Sequence, residues 1–186
     1  MKKIIFLILT LVVFSAFTNA QDFQLPKKGN SYITFGYTPF QSDVKAIETA
    51  QDPGLVTVGY GKYVTNDLRV EGLVGLTAKK NYTSYAVGGN VYYDFPVYHK
   101  VNPFLVGGLV FTGINKVDTA TTNQNVLGVE TGLGINYYLN ENLCLSASYK
   151  LAFQYWMKPS YNGVKGNDEY FNLNTGIGKI SINIFW

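Results

Sequence analysis

Six ionisable side chains interrupt stretches that otherwise alternate apolar with small residues: Arg69, Glu71, Asp94, Glu130, Lys150 and Lys179. Each has the opposite parity to the apolar residues of its stretch, so in an extended chain all six point away from the greasy side. Three are cationic and three anionic, which permits neutral pairing. Two chemistries suit such a set. Lining a water-filled path, it would be a selectivity ring or a proton path. Enclosed by a sheet, it must form ion pairs, because an isolated buried charge is too costly. The structural network is the expectation. Spacing puts Arg69 level with Asp94 and Glu130 level with Lys150 on neighbouring segments.

The residues that catalysis would need are scarce. His99 is the only histidine and lies in the 96–102 turn, bracketed by Pro96 and Pro103. Nucleophilic or general-base chemistry needs a nucleophile and an orienting carboxylate to converge on it. Asp94 belongs to the other face and no Ser, Thr or Cys is close in sequence, so an exposed turn histidine is expected. Cys144 is the only cysteine. It sits among small residues, suits packing better than reactivity, and excludes an internal disulfide framework. One Cys and one His make no N/S metal cluster. No catalytic residue, metal ligand or cofactor site is assigned.

These residues depend on the elements that carry them. Residues 1–20 read as a cleaved export signal: Lys2 and Lys3, an apolar run from Ile4 to Phe17 broken only by Thr10 and Ser15, and a small residue, Ala20, at the cut. That run is shorter than the roughly 20 residues of a spanning helix. Removing it leaves 166 residues with 13 basic against 12 acidic side chains, a net charge of +1. Such a chain suits one domain and shows no basic stripe for nucleic acid. Aromatic residues are 16% and charged residues only 15%, against about 25% charged in ordinary soluble domains. Beyond the signal no apolar run could form a membrane helix, so any membrane span must be built of strands.

Residues 21–29 form a polar lead, expected in the periplasm. Eight alternating stretches follow within 30–186: 30–38, 54–64, 68–76, 82–95, 103–113, 125–139, 143–156 and 170–186. Most have at least about nine alternating residues, enough to cross a bilayer when tilted. The fifth is apolar on both faces, with Phe104 and Val106 against Leu105 and Leu109, and leaves its orientation open. In the eighth, Phe171 and Leu173 disagree in parity with Ile180, Ile182, Ile184 and Trp186. Either a bulge near Gly176 or Gly178 reconciles them or the upper part of the strand stands clear of lipid, and its facing stays open. Short links (65–67, 96–102, 140–142) alternate with longer ones (39–53, 114–124, 157–169), and 77–81 is a short member of the second group. Aromatics gather at the proposed rims: Tyr60, Tyr63, Tyr93, Phe95, Tyr137 and Trp186 at one, Tyr82, Tyr85, Phe111, Tyr155 and Trp156 at the other. Two interfacial girdles are expected.

The export signal, the eight alternating strands, the glycine- and aromatic-rich faces and the terminal Trp186 together resemble the small eight-stranded bacterial outer-membrane barrels, the OmpA transmembrane-domain and OmpX group. The resemblance covers residues 21–186 and implies an all-β, antiparallel, up-and-down transmembrane barrel in a Gram-negative outer membrane. It further implies that Ile180, Ile182, Ile184 and Trp186 act as the C-terminal signal read by the barrel-insertion machinery. No cell-wall-binding domain is expected after the eighth strand. The implied partners are outer-membrane lipid and lipopolysaccharide, with surface ligands reached through 39–53, 114–124 and 157–169, and no nucleic acid.

The favoured function is a non-enzymatic envelope barrel with a plugged polar interior. A narrow ion or solute pore uses the same charges differently. An outer-membrane lipid-modifying enzyme needs a Ser/His/acid cluster at the outer rim, and His99 falls at the other end. A soluble calyx needs polar outward faces and an apolar lumen, the inverse of the pattern in 125–139 and 143–156.

Overall fold

The structure is a computed structural model that describes residues 25–38, 54–79, 82–95, 100–117, 121–161, 164–165 and 169–186. The proposed signal (1–20), residues 21–24, the 39–53 link and His99 lie outside the described residues.

Ten strands follow in chain order: β1 (Ser31–Thr38), β2 (Leu55–Tyr63), β3 (Leu68–Lys79), β4 (Tyr82–Asp94), β5 (Val101–Val117), β6 (Thr121–Asn140), β7 (Leu143–Trp156), β8 (Ser160–Tyr161), β9 (Val164–Lys165) and β10 (Tyr170–Phe185). Eight of them make the wall. Each pairs antiparallel with its chain neighbour from β1 to β7, β10 pairs with β7, and β10 returns to β1 from Tyr32↔Phe185 to Tyr37↔Ile180. The sheet is therefore closed, and the wall strands have no free edges along that seam. β8 and β9 form a two-rung hairpin that adds to the end of β6 through Thr122↔Tyr161 and Asn123↔Ser160.

Side-chain alternation sorts the residues cleanly. In β2 the burial pattern alternates without a break from Leu55 to Tyr63. Leu133 and Leu76 are 63% and 64% exposed on the outer face, whereas Arg69 is 2% exposed within. Monomeric soluble proteins rarely expose contiguous apolar patches of more than a few hundred Å². This belt encircles the barrel, so the outer face is built for an apolar solvent.

The two open orientations are resolved. Phe104 and Val106 of β5 point inward, packed with Tyr92, while Leu105 and Leu109 point outward. The register between β10 and β7 shifts between Thr175 and Ile177, which leaves Gly176 as a bulge. The extra residue flips parity, so Phe171, Leu173, Ile180, Ile182 and Ile184 all face outward. Inward glycines make room for aromatic rings on the next strand. The Tyr32 ring lies over Gly61, its partner in register, and the Phe104 ring over Gly134. A Cβ at either glycine would collide with the ring.

Three expectations are corrected. The 114–124 link is largely strand: β5 and β6 are 17 and 20 residues long and pair as far as Val117↔Thr121. Its Thr- and Asn-rich composition hid this, since such a stretch has no apolar alternation. The 157–169 link contains β8 and β9. Finally, Tyr63 and Trp156 are not rim aromatics, because both point inward and are 2% exposed.

Candidate functional site

The lumen is filled in tiers, beginning at the end that carries both described chain ends. There Tyr32, Tyr63, Tyr138, Phe185 and Cys144 pack into one buried cluster, with Leu25 against it. The Tyr32 and Phe185 rings are 5.2 Å apart. Cys144 is fully buried; its Sγ is 3.3 Å from the Leu145 carbonyl oxygen and 3.7 Å from Ser146 Oγ.

Above this tier lies the ionic core. Arg69 Nε donates to Asp94 Oδ2 at 2.9 Å and Arg69 Nη1 donates to the Tyr32 hydroxyl at 3.1 Å. The guanidinium carbon sits 4.0 Å from the centre of the Tyr92 ring, which adds a cation–π contact. Asp94 is further satisfied by the Tyr63 hydroxyl at 2.8 Å and by Asn136 Nδ2 at 3.1 Å. The Tyr63 proton is committed to Asp94, so the 3.3 Å contact between the two hydroxyls has Tyr138 as donor. On the far side the chain continues: Asn183 Nδ2 donates to Ser146 Oγ at 2.6 Å, and Ser146 Oγ donates to Asn136 Oδ1 at 2.6 Å. One connected network thus ties together β1, β2, β3, β4, β6, β7 and β10. Fully satisfied buried networks of this kind rigidify an interior and specify its geometry.

A second acidic centre lies beside it. Glu71 Oε1 accepts from the Tyr92 hydroxyl at 2.9 Å and from Asn90 Nδ2 at 3.4 Å, and Lys179 Nζ reaches it at 3.5 Å. That last pair joins β3 to β10, two strands that are not neighbours, so it crosses the lumen. The third pair, Lys150 Nζ to Glu130 Oε2 at 2.8 Å, links diagonal positions of adjacent β7 and β6.

All six charges from the sequence are therefore inside, and they meet as three oppositely charged pairs. Sequence spacing suggested the partners Arg69–Asp94 and Glu130–Lys150. It missed Glu71–Lys179, because residues 108 apart in sequence and separated by two strands leave no local signal. It also missed the inward aromatics Tyr32, Tyr92, Phe104, Tyr138 and Phe185. Their only mark is a position on the small-residue parity, opposite a glycine for Tyr32 and Phe104.

The remaining space is small. Two cavities within the described barrel measure about 10 and 20 Å³, room for about one water each. All three carboxylates are engaged by cations, and no group of three or more His, Cys, Asp or Glu side chains comes together among the described residues. The Tyr63 hydroxyl is spent in holding Asp94, and that of Tyr138 lies against Tyr63. The arrangement neutralises and fills a lumen.

Outside, Ile180, Ile182, Ile184 and Trp186 lie in one exposed row at the seam with β1. The Trp186 ring is 6.3 Å from that of Tyr60, whose hydroxyl donates to Ser31 Oγ at 3.0 Å. The backbones of Ser31 and Trp186 exchange two hydrogen bonds, of 3.0 and 3.1 Å, and hold the seam shut.

A family model described as the outer membrane protein beta-barrel domain matches residues 6–178. Among solved structures, the N-terminal β-barrel domain of OprF from Pseudomonas aeruginosa superposes with a TM-score of 0.61 at 14% identity, over 87% of this chain and 100% of that one. Neisserial surface protein A (NspA) gives a TM-score of 0.53 at 17% identity, over 83% of this chain and 94% of its own. At these identities the likeness is one of fold. No curated protein sequence matches the chain.

Proposed function

From the premise that this chain belongs to the outer-membrane β-barrel domain family and resides in the bacterial outer membrane, we propose that it is a non-enzymatic envelope barrel with a closed interior. Its work is done at the end opposite the chain termini. The termini end faces the periplasm, and 39–53, 114–124 and 157–169 lie on the cell surface. The asymmetry of the connections supports this orientation, since family barrels carry short periplasmic turns and longer external loops. β5 and β6 extend the wall on the surface side and carry the β8–β9 hairpin, so a strand-built extension stands where surface ligands or lipopolysaccharide would be met. Lipid occupies the outer belt. The row Ile180, Ile182, Ile184 and Trp186 is the segment that the insertion machinery reads.

One observation carries the closed-interior reading: among the described residues three ion pairs and their hydrogen bonds consume the six inward charges, and the two cavities beside them are water-sized. Planar-bilayer recordings of the refolded protein test it. The expected trace shows no large steady conductance, and a persistent ion-selective current of the size of an open channel would overturn it. A narrow pore is the competing reading. It draws on the 3.5 Å separation of Lys179 and Glu71, the longest of the three pairs and the one that spans the lumen.

A further inference from the structure

Residues 25–30, ahead of β1, turn back instead of continuing the strand. Gly29 has φ of 97°, a left-handed conformation that side chains disfavour, and there the chain changes direction. Three contacts then lay the segment across the termini end of the lumen. Leu25 packs on the Tyr32, Tyr63, Tyr138, Cys144 and Phe185 cluster. Pro26 is buried and, with Leu25, roofs the 20 Å³ void between Asp94 and Tyr138. The Lys28 N–H donates to Asn66 Oδ1 at 3.2 Å, in the turn between β2 and β3.

The attachment is slight compared with the wall. Pro26 has no N–H to give to a ladder, and Lys27, Lys28 and Gly29 are exposed. At the hinge the chain is tied to β2, where Gly29 N–H donates to the Tyr63 carbonyl at 3.0 Å and Tyr63 N–H donates to the Asn30 carbonyl at 2.9 Å. The Asn30 N–H to Lys27 carbonyl bond of 3.0 Å closes the turn, and none of these is a ladder bond of residues 25–28 to the wall. Few buried apolar contacts and no strand pairing mark the segments that open first in a folded protein.

We propose that residues 25–28 are a removable stopper. Seated, the segment seals the cluster around Cys144 and the Tyr63–Asp94 hydrogen bond from the aqueous side. Displaced, it admits water and small solutes to that lower chamber while the barrel wall stays closed. This goes beyond the closed-interior reading, because it assigns the seal at this end to a strap outside the wall.

Cys144 is the natural reporter, being fully buried beneath Leu25 and the only cysteine in the chain. The refolded protein in phospholipid vesicles is treated with a small methanethiosulfonate reagent, and labelling of Cys144 is timed. Folding is checked by gel mobility without boiling. Wild type should label far more slowly than urea-unfolded protein. A Leu25→Ser/Pro26→Gly variant that keeps the folded mobility should label at least about tenfold faster. Asn66→Ala removes one anchor in an exposed turn and leaves the barrel core intact. It should accelerate labelling by a smaller factor, and it serves as the deciding variant if the double substitution does not fold. Folded variants labelling at the wild-type rate would overturn the stopper, as would wild type labelling as fast as unfolded protein. Either result leaves the conductance test untouched, so the two readings fail separately.

Discussion

Replacing Arg69 by methionine removes the guanidinium that sits over the Tyr92 ring while keeping most of the apolar stem. Asp94 is then left within the barrel with no cation. Removing one partner of a buried pair generally costs about 3–5 kcal/mol, because the surviving charge stays desolvated. Here Asp94 keeps the Tyr63 hydroxyl at 2.8 Å and Asn136 Nδ2 at 3.1 Å, so the lower half of that range is expected. Neutralising both members should behave differently. In Arg69→Met/Asp94→Asn, the carbonyl oxygen of the introduced amide can keep the bond from Asn136. Its NH₂ group can donate to Tyr63, whose rotatable proton then turns to Tyr138. The Tyr32 hydroxyl loses its Arg69 donor in the single and the double variant alike. The groups around position 94 all keep partners, and replacing buried pairs with neutral residues is often close to neutral. The double variant should therefore lie within about 1 kcal/mol of wild type and be more stable than the single one. Reversible urea unfolding in phospholipid vesicles, followed by tryptophan fluorescence, measures all three proteins. A single variant costing less than about 1 kcal/mol, or a double variant losing as much as the single, would refute the claim that this pair is a desolvated structural couple.

Three further outcomes follow from the geometry. Leu145→Arg and Ile135→Arg place a cation on the exposed outer face and should each cost about 2–4 kcal/mol in the same unfolding assay if those positions lie near mid-bilayer; far smaller losses at both would argue that the face is wet. Gly61→Val forces a side chain into the space of the Tyr32 ring, which Arg69 and Phe185 hold in place. That overpacking should cost about 1–3 kcal/mol, and Gly72→Val, whose Cβ meets open space on the outer face, is the control that should be tolerated. Deleting Gly176 removes the bulge and inverts the facing of Tyr170–Thr175 relative to Lys179–Phe185. Folding yield, read from the unboiled gel, should drop sharply, and a normal yield would show that the bulge does not set the register.

Much of this architecture is written in parity. Where one side of a strand is apolar and the other is Gly, Ser, Asn or a charge, as along Leu143–Trp156, the two-residue period states which side meets lipid. A slip of one residue would invert the whole strand. That is why the eight wall strands and the inward set of six charges could be read from the chain. It is also why the parity clash in the eighth strand pointed to a bulge at Gly176 or Gly178 as one of two explanations, between which the structure decides. The same parity is silent where both faces have similar character. Phe104 and Val106 look no different from Leu105 and Leu109, and only the closed ring, with Tyr92 on one side and Gly134 across, makes the first pair the inner one. It is equally silent in the Thr- and Asn-rich extension of β5 and β6, which has no apolar alternation. Closure decided the rest. Rolling the sheet brings Lys179 to Glu71 across the lumen. It also brings Leu25 onto the cluster that holds Cys144. These are contacts through space between segments far apart along the chain, and no local spacing encodes them.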